Sequence, residues 1–262
     1  MSNKVILLNS ITDASSSDDI VITGSHGGLY PAAIASNWQM RAVVFNDAGL
    51  GLENAGVAGV MALEKIGMAV AASDSQSCCI GSATDTLERG VIKIANSIAL
   101  DLGVSPGMPV AESLKYLIDA PKPYGKLPII HEARKQTTLA GLDFPIWLLD
   151  SASLICSEDE GEIVITGSHG GLVGGDPLRA LKARARIAVF NDAGVGIDQA
   201  GITRLPILNE TGIAAVTVDC QSARIGDAGS ALETGLISYT NKIAENIGAR
   251  KNANLKSWLK TL

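Results

Sequence analysis

Residues 20–28, IVITGSHGG, return letter for letter at 163–171. Residues 45–49 (FNDAG) return at 190–194. Asp74-Ser75-Gln76-Ser77 returns as Asp219-Cys220-Gln221-Ser222, and Ile80-Gly81 as Ile225-Gly226, all in the same order. One two-residue insertion near 173–176 brings the two series into step. A chain written twice must fold as a unit that half its length can form, and 262 residues suffice for two domains of ordinary size. The repeat therefore predicts an internal duplication. A first α/β repeat spans 1–121, a linker and bridging segment 122–145, and a second α/β repeat 146–262. Several shared residues are Gly, Ser, His, Asn and Asp, which a core alone does not need.

Within each copy the apolar residues form short, near-continuous runs: 5–9, 20–23, 42–45 and 68–73, then 146–150, 163–166, 187–190 and 214–218. Strands buried on both faces of a parallel sheet read this way. Helical spacing lies between them. Leu63, Ile66 and Gly67 end one helix with Glu53 in its first turn, and Leu87, Val91, Ile94, Ala95 and Ile98 line another. Strands alternating with helices predict right-handed crossovers and doubly wound layers. The expected fold is two tandem Rossmann-like α/β domains with parallel sheets. Prolines 121, 123 and 128 with Gly125 mark the linker. Residues 126–144, which have no counterpart before the first copy, are expected to form a short strand and a bridging helix with a structural His131. The basic cluster 179–186 reads as the solvated face of a helix.

With 47% apolar and 18% charged residues, each half can bury a core. A net charge of −6 argues against a sequence-independent grip on nucleic acid. No apolar run reaches the length of a membrane span, and the N-terminus lacks the apolar stretch and cleavage site of a signal peptide. The four cysteines, at 78, 79, 156 and 220, form no C-x-x-C pair or metal-ligand spacing, so no metal or other cofactor is called for. The expected setting is a reducing cytoplasm. The expected partner is a small molecule, with homo-oligomerisation left open.

Polar clusters end the predicted strands, and in a parallel sheet those ends share one edge, where ligand crevices form. In the Gly-Ser-His-Gly-Gly loops, Ser25, His26 and Gly27, and likewise Ser168, His169, Gly170 and Gly171, can offer an imidazole and backbone amides to a ligand. The alternative is a tight strand-to-helix turn. The next loops supply Asn46 and Asp47, or Asn191 and Asp192, as an imidazole-orienting carboxylate or a plain Asx turn. Ser77 and Ser222 are shared hydroxyls, whereas Cys220 faces Ser75 across the copies and reads as an inert thiol. Only the second copy carries Arg224 and Asp227, where the first has Cys79 and Ser82. An arginine there suits a carboxylate or phosphate clamp, or a plain surface pair with Asp227.

The order of an apolar strand leading to His-Gly, a helix, and a strand ending in a polar loop resembles the core of caspase-like cysteine peptidases. IVITGSHGG carries the resemblance in both copies, followed by AVVFNDAG and IAVFNDAG. It covers about 60 residues of each copy and implies a caspase-like, Rossmann-like topology. Ala48 or Ala193 stands where the nucleophilic cysteine belongs, so it does not imply peptidase activity.

The functional expectation is a hydrolase of an amide or related carbonyl bond in an anionic metabolite. His169 is the general acid or base, Asp192 orients it, and Ser222 or an activated water attacks. Arg224 and the Gly170 and Gly171 amides hold the anion, with His26 and Asp47 matching in the first copy. The alternative is a non-catalytic module that binds a small anion or serves assembly.

Overall fold

The computed structural model describes residues 4–262. The chain is α/β, with two mixed, mostly parallel sheets. The first contains β1 (Val5–Leu8), β2 (Ile20–His26), β3 (Ala42–Asn46), β4 (Ala69–Ser73) and β5 (Ile92–Ala95) in that spatial order. The second contains β6 (Arg134–Thr137), β7 (Ile146–Leu149), β8 (Ile163–His169), β9 (Ile187–Asn191), β10 (Ala214–Val218) and β11 (Ile237–Thr240), again in sequence order. The inner pairs are parallel, and β5, β6 and β11 are antiparallel to their neighbours. The entirely parallel sheets expected from the sequence are corrected to that extent, and so is the doubly wound order, because both strand orders run in sequence with no reversal.

Both faces of each sheet are covered, as the apolar runs require. Val21 packs into one core cluster while Ile20 and Ile22 pack into another on the opposite face. Val164 and its neighbours Ile163 and Ile165 divide in the same way. The covering helices are α1 (Leu29–Asn37), α2 (Ala58–Glu64), α3 (Ala83–Arg89), α4 (Ser97–Leu102) and α5 (Val110–Leu117) in the first half. The second half has α6 (Arg204–Glu210), α7 (Ala228–Thr234), α8 (Lys242–Asn246) and α9 (Leu255–Leu259). None of the described helices is long and apolar enough to cross a membrane.

Four local expectations are overturned. The apolar series from Leu87 to Ile98 is not one helix. Gly90 ends α3, β5 intervenes, and the Asn96 side chain caps α4 by accepting from the Ala99 amide. Glu53 lies in a separate turn at positive φ, outside α2. Residues 179–186 form no α-helix: Gly174 and Gly175 take positive φ, Arg179 only ends a short 3-10 turn that Pro177 begins, and 180–186 are not helical. Residues 126–144 contain β6 and no helix, and His131 is exposed.

The ends of β2 and β8 explain part of the repeated motif. Each strand slips register before its histidine, so that His26 pairs with Asn46 and His169 with Asn191. Gly24 accepts from the Gly81 amide at 2.7 Å, and a Cβ there would stand 2.4 Å from the Gly81 carbonyl carbon. Gly167 and Gly226 make the matching contact at 2.8 Å. The glycine before Ser-His is thus required by the close approach of the crossing loop, which itself runs toward the site.

Candidate active site

The FNDAG loops join the halves. In each, four consecutive residues, 48–51 and 193–196, take positive φ, and four of the eight (Ala48, Leu50, Ala193 and Val195) are neither Gly nor Asn. Asn46 Oδ1 accepts from the Ala48 amide, and Asp47 Oδ1 accepts from the Gly49 and Ser75 amides. Asn191 and Asp192 repeat these bonds with Ala193, Gly194 and Cys220. The side chains hold a left-handed turn that would otherwise be strained. The turns meet back to back, since a Cβ on Gly49 would lie 2.7 Å from the Gly194 Cα. The contacts across this junction come in matching pairs. Leu52 donates to the Cys220 carbonyl and Ile197 to the Ser75 carbonyl; Gln221 donates to the Gly49 carbonyl and Gln76 to the Gly194 carbonyl. Ala48, Ile80, Ala193, Ala200 and Ile225 form a small buried cluster beside them.

Consequently Asp192 is not brought to His169. It serves the turn and the interface, and burial, with the Asp219 charge adding, raises its pKa. Asp47 serves the same turn and faces Lys93 at 3.4 Å. Ser222 donates to the Asp219 carbonyl and accepts from the Leu236 amide, as Ser77 does with Asp74 and Val91. Asn46 and Asn191 donate to the Cys78 and Ala223 carbonyls. These residues lie outside the cavity described next.

That cavity, about 710 Å³, is walled by both halves and by the linker. Ser25, His26, Ser168, His169, Arg224 and Asp227 all line it, so the structure brings these expected residues together. The histidines cross over. Each belongs to one half and packs on a glycine of the other, His169 Cε1 lying 3.5 Å from a Cβ on Gly81 and His26 Cε1 3.8 Å from one on Gly226.

The imidazoles have a defined state. Nδ1 of His26 accepts from the Gly28 amide and Nδ1 of His169 from the Gly171 amide, both at 3.2 Å. An Nδ1 that accepts must lack a proton, so each neutral ring carries it on Nε2. Burial lowers the pKa of His26 to about 4. Burial, aided by the Arg204 charge and by His26, lowers that of His169 to about 3. Neither Nε2 has a protein partner among the described residues, and both rings line the cavity. The two groups are therefore neutral N–H donors at ordinary pH.

The expected amide cradle is already occupied. Gly27 and Gly170 donate to the Asn46 and Asn191 carbonyls, and Gly171 donates to its own histidine. Arg224 is likewise committed, to Asp227 at 3.0 Å and to Glu53 of the first half at 3.1 Å. Asp227 also caps α7. Ser25 and Ser168 accept from the Ile11 and Ala152 amides, which leaves each hydroxyl proton free to donate.

Two residues of the cavity wall escaped the sequence reading. Glu132, in the linker, is partly buried against Tyr30 and the hydroxyls of Ser151 and Ser153. Desolvation is the main cause that raises its pKa, with the Asp150 charge adding, and the Tyr30 hydroxyl is raised to about 12. Arg204, at the start of α6, is only 5% exposed. The signals were faint but present. Residues 126–144 have no partner in the first copy, and Arg204 stands where the first copy has Gly59, each donating its amide to the middle glycine of its histidine loop.

Away from the cavity, Asp192, Asp219 and Cys220 each bring one ligand atom within 4.8 Å of the others, the one such group among the described residues. In the first half, Lys93 lies between the corresponding Asp47 and Asp74 at 3.4 and 3.3 Å. Burial and the two neighbouring carboxylates push the Cys220 thiol up to about 12, so it is no ready nucleophile. Comparison with protein-family models, curated proteins and solved structures finds no match to the chain.

Proposed function

We propose that the chain is a cytoplasmic enzyme of small-molecule metabolism that hydrolyses an amide or related carbonyl bond at one composite site between two tandem Rossmann-like domains of duplicated origin. The observation that carries this reading is the convergence, in one cavity, of two neutral imidazole N–H donors and a carboxyl of raised pKa.

The roles differ from those read in the sequence. With Nδ1 held by a glycine amide, neither imidazole offers a basic nitrogen to the cavity, so His26 and His169 are assigned as electrophiles. Their Nε2–H groups polarise the substrate carbonyl and hold the oxyanion as charge develops. Glu132 is the group suited to proton transfer, because its raised pKa lies closer to neutrality than that of an ordinary carboxylate. It takes a proton from an attacking water and returns it to the leaving nitrogen. Ser222 and Cys220 have no part in the attack. The caspase-like resemblance is kept for topology alone, since Ala48 and Ala193 are buried and carry no nucleophile.

The test is release of amine or ammonia from a panel of small amides, imides and esters. His26→Asn and His169→Asn keep an acceptor for the glycine amide and remove the Nε2–H donor. Each is expected to lower turnover about 100-fold or more, the size of one oxyanion donor. A protein that binds such compounds and turns over none of them favours the alternative, a non-catalytic small-anion-binding or assembly module.

A further inference from the structure

We infer that Arg204, aided by Lys182, forms the subsite that binds a carboxylate of the substrate, which makes the substrate a small monoanionic carboxylic acid. This rests on the cavity being the active site as proposed above.

Arg204 is buried, and among the described residues it has no acidic partner. Its Nε donates to the Gly171 carbonyl at 3.0 Å, and its Nη1 donates to the carbonyls of Arg179 and Ala180. The guanidinium also lies over Phe190, 5.1 Å from the ring centre. A guanidinium has five N–H groups, and these bonds use three. The two on Nη2 have no protein partner, and the residue lines the cavity beside His169. A buried cation without a counter-ion is costly, and an anionic ligand relieves that cost.

The other charges of the wall narrow the class. Arg224 is held by Asp227 and Glu53, and Arg179 faces Asp13 at 3.7 Å. Lys182 reaches only the Ser153 carbonyl, at 2.6 Å. Arg204 and Lys182 are thus the cations left over, while Glu132 and Asp150 are the acids without a basic partner. Two free cations in a wall that also carries two acids suit a monoanion better than a phosphate dianion. The subsite belongs to the second half alone. At the matching position a Cβ on Gly59 would lie 2.4 Å from the Ala32 Cβ of α1, so helix α1 fills the space that Arg204 uses.

The three histidines make NMR a direct readout, through the Cε1–H signals of His26 and His169. The intact protein is titrated with propionate, propionamide and inorganic phosphate at constant chloride. Propionate is expected to give a saturable shift at His169, with propionamide and phosphate at least about tenfold weaker. Arg204→Met should weaken propionate by about tenfold or more, the loss of a charge-assisted hydrogen bond, and Lys182→Gln by severalfold. Should Arg204→Met fail to fold, Arg204→Lys and the exposed Lys182→Gln carry the same comparison. The inference is overturned if propionamide or phosphate matches propionate, if no shift saturates, or if the folded variants bind propionate as the parent does. Carboxylate binding without turnover of any amide would leave this subsite standing and remove the hydrolase. Amide turnover indifferent to a carboxylate and to Arg204 would do the reverse.

Discussion

Acid should unfold this protein through its two cavity histidines, and the size of the effect follows from their environment. An ordinary histidine has a pKa of 6.5, whereas His26 is lowered to about 4 and His169 to about 3. A lowered folded pKa means that the unfolded chain binds the proton more tightly. The stability contributed by the neutral ring is complete above 6.5 and is lost progressively as pH falls toward the folded value. Between about pH 7 and about pH 5 the unfolded ring takes up its proton while the folded ring stays neutral. The loss is RT times the logarithm of the ratio of unfolded-state proton binding at the two pH values, or about 1.9 kcal/mol per histidine. Glu132 and Asp192 act in the opposite sense, because their folded pKa is raised and the native state gains protons first. The clean quantity is therefore the difference between the parent and a variant. Urea unfolding at the two pH values should show the acid loss shrinking by about 1.9 kcal/mol in His26→Asn, and by the same amount in His169→Asn. Variants whose stability falls with acid as steeply as the parent's would refute the desolvated, neutral state of these rings.

Three further outcomes are specific. Glu132→Gln, which keeps the shape and removes the titrating oxygen, should lower turnover by about 100-fold or more while leaving the melting temperature near that of the parent; unchanged turnover would remove Glu132 from proton transfer. Gly81→Ala should destabilise the chain by about 1–3 kcal/mol in urea unfolding, since φ is +86° and the new Cβ would meet the Leu172 carbonyl oxygen at 2.4 Å. A neutral result there would mean that the halves do not meet as described. Cys220→Ser, which copies Ser75 of the first half, should retain full turnover, whereas its loss would implicate the thiol.

Much of this arrangement was legible in the letters. The repeat, the run lengths and the glycines placed the strands, and the polar clusters at their ends pointed to one edge. The histidine loops and Arg224 with Asp227 do reach a common cavity. What the letters could not separate is a side chain that faces a ligand from one that holds its own loop. Asp192 and Ser222 are short polar residues in turns, and the backbone donors nearest to them took their oxygens. Arg224 was visible as a lone cation, but Glu53 lies 171 positions away and neutralises it only after the halves dock. Glu132 gains its character from desolvation by elements distant in sequence, which no local pattern encodes. Strand β5 sits between two helix caps, and its apolar spacing fits a helix equally well; only the Asn96 cap that starts α4 tells them apart.

The central claim is that both halves build a single site. It is tested most directly by titrating the protein with any ligand that raises its melting temperature while following the His26 and His169 Cε1–H signals together. One composite cavity predicts that both signals move with the same half-saturation concentration, and that His26→Asn weakens the response at His169. Two independent transitions, or movement of one histidine alone with the other indifferent to ligand and to substitution, would contradict it.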